Sequence, residues 1–208
     1  MAKSPGSGSA RNRNEEERAL GLKPAIGGIA ERFTKAAKPF MTSTVVRPAV
    51  ESDLPSLTRI YNHYVINTPI TFDLHPFTVE ERRPWFDEHL QRGRYRLLVA
   101  TDDAGQVSGY ACTGRFRPKP AYDPTVETSV YCAPDAVGNG VGTLLYSELL
   151  RAIISEDIHR LVAAITLPNP ASIKLHRRFG FRQIGVLSEV GRKFGRYWDV
   201  AWFERSLI

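Results

Sequence analysis

The sequence predicts a mixed α/β domain built around one sheet, and three observations carry that reading. From residue 44 onward the apolar pattern switches between strand and helix periods in a fixed order: strand, two helices, three strands, helix, strand, helix, two strands. Asp102-Asp103-Ala104-Gly105 separates two apolar runs, as the turn of a hairpin does. The segment Val137–Gly142 carries glycine at positions 138, 140 and 142 and joins a strand to a helix. No internal repeat is present.

Thr44 to Pro48 reads as the first strand. Asp53 is placed to cap a helix that puts Leu54, Leu57, Ile60, Tyr61, Tyr64 and Val65 on one face. Thr78 and Glu81 form a capping-box pattern ahead of Trp85, Phe86 and Leu90, and Pro84 should kink or shorten that helix. Tyr95–Thr101 and Val107–Thr113 are the arms of the hairpin. Thr125–Cys132 is the next strand, and the glycine turn leads from it into a helix bearing Leu144, Leu145, Leu149, Ile153 and Ile154. Leu161–Leu167 is short and continuously apolar, the signature of a buried strand. Asn169–Phe179 reads as a helix stopped by Gly180. Two strands, near Phe181–Val190 and Trp198–Arg205, close the domain.

The composition is globular, with 42% hydrophobic and 24% charged residues. No apolar run is long enough to span a bilayer, and the first thirty residues lack the core of a secretory signal, so no membrane association is expected. Cys112 and Cys132 lie in apolar, strand-like surroundings and suggest neither a disulfide framework nor a metal site. A reduced, cytoplasmic protein without a metal is expected. The net charge of +6 is unevenly spread: eight of the 28 basic and four of the 22 acidic side chains fall in residues 1–40. The nearly neutral remainder is a poor nucleic-acid binder. Residues 1–43 read as a disordered or loosely structured basic extension, and 44–208 as the domain. Within the extension, Ile26, Ile29, Phe33, Ala37 and Phe40 could line one face of a short helix, which Gly27-Gly28 disfavours. Met41 is the only methionine besides Met1 and is a candidate start.

The chemistry concentrates at the strand, glycine turn and helix. Glycines let backbone approach a ligand, and the free N–H groups of the following helix suit phosphate or pyrophosphate. Plain strand-to-helix connections look similar, so the turn alone is not diagnostic. It is not a nucleotide P-loop, since no Lys-Ser or Lys-Thr follows Gly142, and its spacing does not fit a dinucleotide fingerprint. The layout resembles the GNAT superfamily of N-acetyltransferases, whose pyrophosphate loop reads Gln/Arg-x-x-Gly-x-Gly/Ala. Val137-Gly138-Asn139-Gly140-Val141-Gly142 keeps both glycines and replaces the leading Gln/Arg with Val137.

A closer resemblance, to the phosphinothricin acetyltransferase family, runs from about residue 45 to 205. It is carried by Ala121-Tyr122-Asp123-Pro124-Thr125-Val126-Glu127-Thr128-Ser129-Val130-Tyr131, by Leu167-Pro168-Asn169 with Ser172 and Leu175-His176, and by Gly191-Arg192-Lys193-Phe194-Gly195 with Trp198-Asp199-Val200. Asn62-His63-Tyr64 and Phe72 match too. The resemblance implies a mostly antiparallel, splayed sheet flanked by helices. Acetyl-CoA would be the co-substrate, wedged between the strands holding Val130 and Ile165. Coenzyme contacts are implied for Val130, Tyr131, Cys132, Val137, Gly138, Asn139, Gly140, Val141, Gly142, Thr143, Asn169 and Ser172.

Transfer to an amine requires that an ammonium lose a proton, which a nearby carboxylate can take. Glu127 stands mid-strand in an otherwise uncharged run, where it is either a solvent-facing residue or a buried carboxyl with a raised pKa. The resemblance implies that it is the base. His176 reads by pattern as a core histidine, and the resemblance implies a supporting catalytic role. Asn169 and Ser172 also suit the start of a helix. Arg117, Lys119 and Tyr122 are implied to meet the anionic end of the acceptor, in the order Arg-x-Lys where the family has Lys-x-Arg. Phe72, Ser129 and Thr166 complete the implied acceptor site, with Thr166 standing where the family commonly has glycine. The expected function is N-acetylation of a small anionic amino acid analogue of the phosphinothricin, methionine sulfone or methionine sulfoximine type, by an enzyme that the resemblance suggests is a homodimer. The alternatives are an acetyltransferase for protein N-termini or polyamines and a non-catalytic acyl-CoA-binding module.

Overall fold

The computed structural model describes residues 44–89 and 92–207. The expectations for residues 1–43 and for Leu90 lie outside the described residues. Seven strands form one sheet: β1 Val45–Pro48, β2 Leu97–Thr101, β3 Val107–Arg115, β4 Thr125–Cys132, β5 Arg160–Thr166, β6 Arg182–Lys193 and β7 Arg196–Ser206. Among the described residues four α-helices join them: α1 Leu54–Asn67, α2 Val79–Asp87, α3 Val141–Ile153 and α4 Pro170–Arg178. The spatial order is β1-β2-β3-β4-β5-β7-β6.

Every pairing is antiparallel except β4 with β5. That parallel register holds for three positions only, Thr125↔Arg160, Val126↔Leu161 and Glu127↔Val162. Beyond Glu127 the two strands diverge, while each stays paired on its far side to β3 or β7. The sheet is therefore splayed, as expected.

The two faces of the sheet have separate cores. On one, Val126, Tyr146, Ile153, Leu161, Phe181 and Phe203 pack beneath α3 and α4. On the other, Leu57 and Ile60 of α1 cover Leu97, Val99, Tyr110 and Cys112. Strand alternation assigns the sides of β4: Val126 and Thr128 face α3, where Thr128 Oγ1 lies 2.6 Å from the Tyr146 hydroxyl, so Glu127 and Ser129 face the opposite way.

Local expectations mostly match. Thr78 caps α2 through Glu81 N–H, and the Glu81 carboxylate returns a bond to Thr78 N–H at 2.8 Å. The helix continues past Pro84 for three residues. Asp53 is a correction: its side chain makes no cap bond to α1. It accepts instead from Val50 N–H and from both ends of the Arg47 guanidinium, at 2.7 and 2.9 Å. The bidentate pair with Arg47 is charged on both sides, whereas a cap bond would be charged only at the carboxylate. The β6–β7 hairpin is longer than its apolar pattern suggests, running through Lys193 to a two-residue turn at Phe194-Gly195, both left-handed.

Candidate active site

The divergence of β4 and β5 opens a cavity of about 550 Å³. Its walls are Thr128–Cys132 of β4, Ala163–Thr166 of β5, the glycine turn and one face of α4. Ala164, read from sequence as part of a buried strand, is exposed toward this gap. Alternate backbone groups of both strands lose their ladder partners here and are available to a ligand.

The glycine turn forms the mouth. Gly138 and Gly140 have φ of 84° and 87°, a left-handed conformation that suits glycine. Gly140 caps α3, and the first helical bond runs from Leu144 N–H to Gly140 O. The earlier N–H groups of α3 point off its start, with the positive end of the helix dipole behind them. Gly142 N–H is directed at the Cys132 thiol, which burial pushes up to about 11, so the sulfur stays protonated. Among the described residues, no aspartate or glutamate lines the cavity. The residues fit a ligand with an extended polar arm and a phosphate-bearing end.

Glu127 sits at the closed end, in the last β4–β5 pair, one residue before the cavity wall begins. Burial raises its pKa, and the charge of Arg117 offsets part of that rise. Arg117 also stacks on Phe116 at 4.7 Å, and Phe116 contacts Tyr122 and Trp202 edge-on. The segment 116–122 thus lies on Glu127's side of the sheet. Arg117, Lys119 and Tyr122 are exposed, and they lie outside the wall of the cavity itself.

Ser129 and Thr166 line the cavity, Thr166 nearly buried beside Val200. Asn169 caps α4 by accepting from Ser172 N–H at 3.1 Å, and both residues line the wall.

The structure does not bring His176 to Glu127. His176 is 3% exposed and packs against Tyr146, Phe181 and Phe203, on the α3 and α4 side of the sheet, where it also lines the cavity. Its Nδ1 donates to Ser172 O at 2.8 Å, and its Nε2 is buried without a partner among the described residues. Burial lowers its pKa, so the ring is neutral at neutral pH.

A second cluster on the Glu127 face was not legible in the sequence as a unit. Lys193, 4% exposed, donates from Nζ to Thr71 O at 2.7 Å. Thr71 Oγ1 lies 2.6 Å from the Tyr61 hydroxyl, which donates to Asp73 at 2.5 Å. Arg82, 6% exposed, lies 4.2 Å from the Tyr61 ring and 3.8 Å from Trp85. The cluster clamps the 68–77 loop, and with it Phe72, to the end of β6. A Lys193→Met substitution keeps the apolar stem and removes the clamp. It is expected to raise the acceptor KM several-fold and lower stability by about 1–3 kcal/mol, read by kinetics and thermal unfolding.

The description "Acetyltransferase (GNAT) domain" matches residues 46–202. The chain belongs to the GNAT acetyltransferase family. This acetyltransferase is 60% identical over 163 residues to a phosphinothricin N-acetyltransferase of Streptomyces coelicolor, covering 78% of this chain and 95% of that one. It is 41% identical over 165 residues to an L-methionine sulfoximine/L-methionine sulfone acetyltransferase of Pseudomonas aeruginosa, covering 79% and 95%. Its fold superposes with a TM-score of 0.75 on a GNAT superfamily phosphinothricin acetyltransferase from Sinorhizobium meliloti in complex with AcCoA, at 37% identity over 80% of this chain and 89% of that one. The acetyltransferase is an N-acetyltransferase by these relationships, and among the described residues no helix is long and apolar enough to cross a membrane.

Proposed function

We propose that the enzyme moves the acetyl group of acetyl-CoA to the amino group of a small anionic amino acid analogue of the phosphinothricin, methionine sulfone or methionine sulfoximine type. The observation that carries this reading is the cavity between the diverging strands, with a phosphate-suited turn at its mouth and Glu127 at its closed end. Acetyl-CoA, when bound, supplies the activated thioester.

The residues of the chain divide the remaining work. The N–H groups of the glycine turn and of the start of α3 hold the pyrophosphate. Unladdered backbone N–H groups of β4 beyond Glu127 steady negative charge developing on the acyl oxygen. Glu127, on the acceptor side, takes the proton of the incoming ammonium, whose unperturbed pKa is roughly 8 or above. Its raised pKa strengthens it as a base. Arg117 and Lys119, exposed on Glu127's side of the sheet, favour an anionic acceptor over a polyamine.

His176 acts in this scheme by packing. It supports Tyr146, whose hydroxyl meets Thr128 at the foot of the gap. A His176→Leu variant is expected to retain at least about a tenth of kcat and to leave the acid limb of the pH–rate profile in place. Disappearance of that limb would identify His176 as the titrating group instead.

The reading is tested by mass spectrometry of reactions containing acetyl-CoA and one acceptor each: phosphinothricin, methionine sulfone, methionine sulfoximine, spermidine or a peptide with a free N-terminus. N-acetylated amino acid analogue is the expected product. Acetylation of the peptide or spermidine alone would overturn the acceptor class.

A further inference from the structure

We propose that Lys174 and Arg178 form a second phosphate subsite, for the 3′-phosphate of the coenzyme. The inference rests on the acetyl-CoA reading above and deepens it. The two residues lie one turn apart on α4, so they share a face. Both line the cavity and both are exposed. Among the described residues, no carboxylate lines that cavity to neutralise them.

Their position along the ligand path follows from Leu175, which lies between them in sequence and also lines the cavity. A Cβ built on Gly142 would meet Leu175 Cδ2 at 3.7 Å, so this face of α4 lies against the start of α3. A coenzyme with its pyrophosphate on the glycine turn would have Lys174 and Arg178 as the nearby basic side chains of the cavity wall to hold its 3′-phosphate.

The charge balance points the same way. Coenzyme A bears a pyrophosphate and a separate 3′-phosphate. The turn can answer the pyrophosphate with backbone N–H groups, but Val137–Thr143 contains no basic side chain. Among the described residues, the lysine and arginine side chains that line the cavity are Lys174 and Arg178 of α4. Arg178 offers a planar fork that matches two phosphate oxygens, and Lys174 a mobile point charge. Both are far from Glu127's face of the sheet, so they act on coenzyme affinity and not on proton transfer.

Titration calorimetry with CoA and dephospho-CoA tests this on the full chain. The wild-type protein is expected to prefer CoA by roughly tenfold, and the preference should shrink as salt is raised. A Lys174→Ala/Arg178→Ala double variant is expected to bind CoA as weakly as the wild type binds dephospho-CoA, with its dephospho-CoA affinity unchanged. Because both side chains are exposed, its melting temperature should match the wild type. A variant that keeps the preference would overturn the proposal. Equal weakening toward both ligands would also overturn it, by assigning the cations to the pyrophosphate. A wild type that binds neither ligand would instead remove the coenzyme reading on which the proposal rests.

Discussion

Replacing Glu127 by glutamine is expected to lower kcat by about 100- to 10,000-fold, the usual range for loss of a general base, with coenzyme affinity unchanged. The carboxylate lies at the closed end of the gap and outside the residues that line the cavity, so binding and chemistry should separate cleanly. Its burial has two further consequences. A base must be ionised to act, so a raised pKa places the acid limb of kcat/KM above the roughly 4.3 of free glutamate. The same shift sets the sign of its effect on stability. A carboxyl with a raised folded pKa holds its proton more tightly in the folded state, so stability present at low pH is lost as pH rises through that pKa. Glutamine carries no charge to desolvate. The variant should therefore melt no lower than the wild type at pH 7 while being nearly inactive. Thiol release across pH, with thermal unfolding of both proteins, reads all three effects. A variant that lost activity together with stability would mark Glu127 as structural.

The second large effect is expected at Gly191. A Cβ there would fall 2.2–2.5 Å from three ring atoms of Phe72, far inside contact distance. The ring would have to swing away from β6, and overpacking of this kind costs about 1–3 kcal/mol. Because Phe72 and Lys193 tie the same loop to the same strand end, Gly191→Ala should raise the acceptor KM by about tenfold or more and leave the CoA affinity unchanged. Acceptor kinetics beside calorimetry with CoA make the measurement. A Gly191→Ala enzyme with wild-type acceptor KM would show that the 68–77 loop does not border the acceptor.

These two positions illustrate what the sequence could and could not disclose. The order of elements was legible because each strand and helix is bounded by local signals. Thr125–Cys132, framed by Asp123-Pro124 and Pro134, was read to the residue. The glycine turn and the Asn169 cap were legible for the same reason. Asp53 was misread because its competitor, Arg47, is six residues away across a strand end. β6 was read short because its last three residues, Gly191, Arg192 and Lys193, carry no apolar side chain to continue the strand pattern. Lys193 could not be placed at all, since its partner Thr71 is 122 positions distant and no local pattern reports such a contact. His176 shows the converse limit: the sequence places it one turn from Ser172, but only the alternation along β4 shows it to be on the other side of the sheet from Glu127.

The central claim is that the cavity and Glu127 serve acetyl transfer to an anionic amino acid analogue. Steady-state thiol release from acetyl-CoA, with phosphinothricin and spermidine measured side by side, tests it most directly. The expected kcat/KM for phosphinothricin exceeds that for spermidine by at least about 100-fold, the discrimination that about 3 kcal/mol of charge complementarity supplies. Equal values, or a preference for spermidine, would contradict the claim.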